Sequence, residues 1–131
     1  MKLATHLGLN QRLCGMPVML DDGTCTVSLK TVPEMAADDR GLVHGGFVFG
    51  AADFAAMAAV NDPHVVLGAA DTRFLAPIKV GETVELVARR TEFKGRKHLV
   101  EVTGRVAGVE VFTGIFTTFV LDRHVLEGRD S

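Results

Sequence analysis

"GLVHGGFVFGAADFAAMAAVN", residues 41–61, decides how this chain folds. Nearly every residue in it is apolar or small, and six alanines fall between Ala51 and Ala59. Alanine is the strongest helix former. Asn61-Asp62-Pro63 then supplies a stop, because proline cannot continue a helix. The reading is a helix over about residues 45–60. It has no polar face, and a helix that is apolar all round is a buried one. Two features are foreign to a plain core helix. His44 precedes Gly45 and Gly46 at its start, and Asp53 sits at its middle. The helical neighbours of Asp53 are Gly46, Phe49, Gly50, Ala56, Met57 and Val60. None can pair with a carboxylate, so Asp53 must find hydrogen bonds elsewhere or hold its proton unusually tightly.

Each feature has two readings. The glycine pair is either turn punctuation that packs the helix start or an open seat for an anion or a polarised carbonyl oxygen. The second reading rests on first-turn N–H groups that lack intrahelical partners and on the positive end of the helix dipole. Asp53 is either a carboxylate satisfied by backbone or by a partner subunit, or a functional group with a perturbed pKa. Gly45 and Asp53 are eight residues apart, roughly 12 Å along a helix axis. That is too far for both to act on one carbonyl within a single helix. A second helix related by a two-fold axis and running antiparallel removes the difficulty, which points to a homodimer with sites at its interface.

Outward from the helix the pattern is all strand and turn. Residues 1–12 read as a short helix or irregular arm. "MPVMLDDGTCTVSLKTV" (16–32) reads as a hairpin turning at Asp22-Gly23, and "PEMAADDRG" (33–41) as a polar loop. After the helix come "HVVLGAADTRFLAPI" (64–78), bent at Gly68, then "ETVELVARRTEF" (82–93), "KHLVEVTGRV" (97–106) and "VEVFTGIFTTFVL" (109–121). Hairpin-linked strands beside one buried helix predict an α+β fold, an antiparallel sheet curved round the helix, in a single domain over 1–131.

Composition limits the function. The chain has 131 residues, 47% hydrophobic and 23% charged, as in an ordinary globular protein. A formal charge of −2 argues against nucleic acid as the main partner. Arg89, Arg90, Lys94, Arg96 and Lys97 cluster locally, either as a solvated hairpin end or as a contact for a small phosphorylated ligand. Cys14 and Cys25 lack metal-ligand spacing and read as reduced thiols of a cytoplasmic protein. The start "MKLATHLGLNQRLCG" has no sustained apolar run, so no export signal is expected, and Asp53 interrupts the longest apolar stretch, so no membrane span is expected.

"HGGFVFGAAD" (44–53), with an acid nine residues after the histidine, resembles the signature of hotdog-fold acyl-CoA thioesterases of the phenylacetyl-CoA and 4-hydroxybenzoyl-CoA branch. The likeness runs from about Thr24 to Val120 and includes "DTRFLAPIKVGETVELVARR" (71–90). The resemblance implies a hotdog fold, an acyl-CoA substrate with coenzyme A as part of it, no separate cofactor or metal, and a homodimer or a dimer of dimers. It implies that Gly45 donates its N–H to the thioester oxygen, with Gly46 beside it. Asp53 of the other subunit would be nucleophile or general base, and His44 would shape the helix start. Arg73, Lys79 and Arg89 are the basic residues considered for coenzyme A. Two positions depart from the family pattern: Asp38 stands where several relatives carry Asn or Gln, and Met57 where some carry Thr. Both would lie by the substrate.

Three activities follow as expectations. The first is acyl-CoA hydrolysis. The second is acyl-CoA binding without hydrolysis, which the residues at 38 and 57 favour and which would need a partner chain for regulation. The third, ranked below them, is a dehydratase or hydratase drawing on His44, His64 or His98.

Overall fold

The computed structural model describes residues 1–130. Its elements are α1 (Gln11–Cys14), β1 (Met16–Asp21), β2 (Thr24–Lys30), a 3-10 turn (Pro33–Met35), α2 (Gly45–Val60), β3 (Val65–Phe74), β4 (Thr83–Lys94), β5 (Lys97–Val106), β6 (Val109–Val120) and α3 (Val125–Asp130). All strand pairs are antiparallel, and the single six-stranded sheet runs β1-β2-β4-β5-β6-β3. The helix spans the residues its composition predicts. It ends with Asn61 in the left-handed conformation, φ 53° and ψ 45°, just ahead of Pro63.

Strict alternation in the central strands fixes which face of the sheet α2 covers. Cys25, Val27 and Leu29 of β2 are buried beneath it, as are Val84, Leu86 and Ala88 of β4 and Val100 and Val102 of β5. Phe112 and Phe116 of β6 complete the layer. The helix answers with small residues, Ala51, Ala52, Ala55, Ala56, Ala58 and Ala59, all inaccessible to solvent. Small side chains let the curved sheet close on the helix backbone, so the core combines aromatic and branched residues from the sheet with the helix alanines and with Val48, Phe54 and Met57.

The chain around the hairpins follows its turn chemistry. Gly23 at φ 80° makes the β1–β2 turn, and Ala107 with Gly108 makes the β5–β6 turn. The bend expected at Gly68 is a bulge between Leu67 and Ala69. Two features go beyond the sequence reading. First, β3 does not pair with the next strand in the chain. It pairs with β6 and forms one edge of the sheet. Second, of the helix or irregular arm left open for residues 1–12, residues 1–10 are the irregular arm, with a turn at Leu7 and Gly8, and only Gln11–Cys14 is helical. The arm is tied to the C-terminal end of α2: the Ala4 N–H donates to Asn61 Oδ1 at 2.7 Å, and Asn61 Nδ2 donates to the Lys2 carbonyl at 2.9 Å. His6 stacks on Phe54 with ring centroids 6.4 Å apart.

Candidate functional site

The start of α2 is held from outside the helix. Val43 N–H donates to the Ile78 carbonyl and His44 N–H to the Met35 carbonyl, each at 2.8 Å. Bridges Ala36–Val43 and Leu42–Lys79 clamp the same segment. His44 occupies the N-cap with extended backbone but makes no side-chain cap. Its ring lies instead over Gly46, where an added Cβ would come within 2.7 Å of His44 Nε2, and it meets Phe47 edge-on at 6.0 Å. The N–H groups of Gly45 and Gly46 therefore remain unengaged at the positive end of the dipole. The His44 ring thus packs against the helix start.

Gly45 lies at the floor of an apolar groove of about 360 Å³, lined by Val43, Val48 and the run Phe74–Ile78. The Phe74 ring comes within 3.1 Å of the place a Gly45 Cβ would take. The groove shares Pro77 and Ile78 with a second hollow of about 420 Å³ that holds Asp38, Arg40, Leu42, Lys79 and Glu82. There the acidic groups are committed to backbone. Asp38 Oδ1 accepts from Arg40 N–H at 2.9 Å and Leu42 N–H at 3.1 Å, and Glu82 Oε1 accepts from Lys79 N–H at 2.7 Å. No ion pair among the described residues engages Arg40 or Lys79. One end of the continuous groove is therefore apolar with free N–H groups, and the other carries two free cations.

Asp53 stands apart from this groove within the protomer. It lies on a face of α2 that the chain covers only in part, with exposed Gly46 and half-buried Phe49 and Gly50. Its Oδ1 is inaccessible and has no hydrogen-bond partner. Burial, unrelieved by any donor or cation, pushes its pKa up to about 6. Asp is also a poorer helix former than Ala by roughly 0.5–0.7 kcal/mol, and Gly50 one turn earlier is worse by about 1 kcal/mol. Neither substitution for alanine is explained by packing inside this chain.

The other residues singled out from sequence are dispersed. Met57 is fully buried, in the turn of α2 between the two anchor points of the arm at Phe54 and Asn61, so it lines no groove within the protomer. Arg73 pairs with Thr113 on the face of the sheet opposite α2, because its neighbour Phe74 is the one that packs with Phe112. Arg89 is on that outer face too, paired with Glu101 at 3.1 Å. The basic hairpin is partly neutralised: Arg96 meets Asp122 at 2.6 Å, and Arg90 meets Asp22 at 3.5 Å while lying over Phe93. His98, stacked on Phe93, shares a hollow with Val60, at the far end of α2 from Gly45. His64 directly follows that end. Of the three histidines only His44 adjoins Gly45. Arg40 escaped the sequence reading. Its signal was its place in the polar loop just before the histidine, but its convergence with Lys79 is made only by the fold.

Residues 40–112, more than half of the chain, match the family model of the thioesterase superfamily. The chain belongs to the thioesterase superfamily. Solved structures share the architecture. A Pyrococcus horikoshii protein, PH1136, superposes with a TM-score of 0.95 at 44% identity, covering 96% of this chain and 97% of that one. A mutant of the phenylacetic acid degradation protein PaaI from Thermus thermophilus superposes at 0.76 with 25% identity, over 83% of this chain and 95% of its own. The fold is thus the hotdog fold. Among curated relatives, methylthioribose-1-phosphate isomerase of Aquifex aeolicus is 50% identical over 123 residues, which is 93% of this chain and 27% of the relative. Transcription factor FapR of Caldanaerobacter subterraneus is 28% identical over 98% of this chain and 64% of the relative. The chain therefore spans less than two thirds of the length of these relatives. No helix among the described residues is long and apolar enough to cross a membrane.

Proposed function

We propose that this superfamily member hydrolyses acyl-CoA thioesters at sites built between two copies of the chain. The observation that carries the reading is Asp53: a carboxylate with an inaccessible, unpartnered oxygen on a face of α2 that its own chain covers only in part. A second copy, antiparallel across a two-fold axis, would bring that carboxylate to the groove of the first. The thioester carbonyl oxygen would accept from Gly45 N–H, aided by the helix dipole. Asp53 of the other copy would take a proton from water as the water oxygen attacks the carbonyl carbon. Collapse of the tetrahedral intermediate breaks the C–S bond, and the thiol of coenzyme A leaves with the acid as the second product. Attack by the carboxylate itself, giving an anhydride that water then opens, uses the same placement. The groove suits the rest of the ligand, with apolar walls for the acyl and pantetheine portions and Arg40 and Lys79 for the phosphates. Release of free thiol from short, long and aryl acyl-CoAs tests the reading. Turnover no higher than that of Asp53→Asn across such a panel would overturn it.

A second reading has its own support. The similarity to a transcription factor, and the use of Asp38 for its own loop, fit a domain that binds acyl-CoA and does not cleave it. Calorimetric binding of an acyl-CoA without thiol release would establish that alternative.

A further inference from the structure

The segment that leaves β3 lines both hollows in order. Phe74 and Leu75 wall the apolar groove at Gly45, Pro77 and Ile78 belong to both hollows, and Lys79 stands among the charged groups of the second. The segment is tied down on both sides: Leu75 N–H donates to the Val111 carbonyl, and the Ile78 carbonyl accepts from Val43 N–H, each at 2.8 Å. A ligand with its phosphates at Lys79 therefore lays its other end against Phe74, at most about 18 Å of extended chain away. Phe74 itself is poorly used as a packing residue. Its ring meets Phe112 edge-on at 5.2 Å, yet the residue is 55% exposed, so much of what burying a phenylalanine contributes is forgone. Instead the ring adjoins Gly45. Its Cε1, Cδ1 and Cζ lie 3.1, 3.5 and 3.6 Å from the place a Gly45 Cβ would take, so it turns an edge, not a face, to the helix start. An aromatic edge carries partial positive charge and suits an oxygen that is gaining negative charge. An oxygen accepting from Gly45 N–H sits about 2.9 Å from the nitrogen, and the acyl carbon next to the carbonyl then lies beside this ring. We infer that Phe74 selects the acyl group: chains unbranched at that carbon pass the ring, and chains branched there are refused. The inference rests on the proposal that Gly45 N–H receives the thioester oxygen.

Butyryl-CoA and isobutyryl-CoA test this, because they contain the same atoms and differ only in branching at that carbon. Their affinities are measured by calorimetry in an Asp53→Asn chain, so that neither ester is consumed. The expected result is a preference for butyryl-CoA of about 10-fold, which Phe74→Ala in the same chain reduces to about 2-fold or less. Phe74→Leu, which keeps an apolar contact for Phe112, should fall between them. A role in packing alone weakens both esters alike and leaves their ratio unchanged. Equal affinities before Phe74 is altered overturn the inference, and so does a preference that survives undiminished in both Phe74 variants. Should Phe74→Ala fail to fold, Phe74→Leu decides. Binding requires no turnover, so the two claims separate. A protein that shows the Phe74-dependent preference but releases no thiol from either ester with Asp53 intact retains the selection and loses the thioesterase reading. One that hydrolyses both isomers with equal kcat/KM, through Asp53, does the reverse. Binding of neither ester overturns both.

Discussion

At the scale of the residue, Asp53 makes stability and activity respond oppositely to pH. Burial raises its pKa from 3.8 to about 6, so the folded chain keeps a proton that the unfolded chain has already released over that interval. The native state is favoured while the group stays protonated, and this advantage is lost as pH rises through about 6. Asp53→Asn should therefore match the parent in stability below pH 4. It should exceed the parent by up to about 3 kcal/mol above pH 7, read from urea unfolding at a series of pH values. Hydrolysis needs the carboxylate ionised, so kcat should climb through about pH 6 in the parent and be flat and low in the variant. A second residue-scale expectation concerns the two free cations. Arg40→Ala and Lys79→Ala should each raise KM several-fold with kcat little changed, and the effect should shrink as salt is added. A fall in kcat alone would place these side chains elsewhere in the reaction.

At the scale of the element, α2 carries its limits in its own letters. The alanine run, the glycine pair and Asn61-Asp62-Pro63 set both ends, and the first hairpin was legible from Asp22-Gly23 because that turn is local chemistry. The place of β3 was not legible. Its partner β6 begins 35 positions after β3 ends, and pairing over such a distance is chosen by the packed sheet. Met57 shows the same limit. Helical spacing put it on the face of Asp53, but the arm anchored at Phe54 and Asn61 leaves it fully buried. That arm gives an element-scale prediction. Asn61 does two jobs, holding a left-handed turn and bonding Lys2 and Ala4. Asn61→Gly keeps the first and loses the second, so it should cost about 1–2 kcal/mol and speed amide exchange in the arm selectively. Asn61→Ala should lose about 1–2 kcal/mol more, from backbone strain. Equal stability of the two variants would mean that the turn contributes nothing.

At the scale of the whole molecule, the candidate site was only half legible. Gly45, Asp53 and their separation are written in one short stretch, and the two-copy site proposed above is argued from that length. The groove that reaches from Gly45 to Arg40 and Lys79 is not written there. It exists because the loop before α2 and the segment after β3 are clamped together by the Val43 and Leu42 contacts with Ile78 and Lys79.

In the proposed two-copy site one helix holds the donor for one site and the acid for the other, which makes the two copies mutual debtors in a genetic sense. Gly45→Pro removes the N–H and suits a first helical position after extended His44 at φ −64° and ψ 127°, with the exposed Phe74 ring giving way by a few tenths of an ångström. Alone, Gly45→Pro and Asp53→Asn should each be inactive. In a hybrid of the two, both lesions fall in the same site and the other site is whole. Unfolding and refolding the two dead proteins together in equal amounts should restore about a quarter of parental turnover, by complementation between alleles that neither chain can achieve with its own kind.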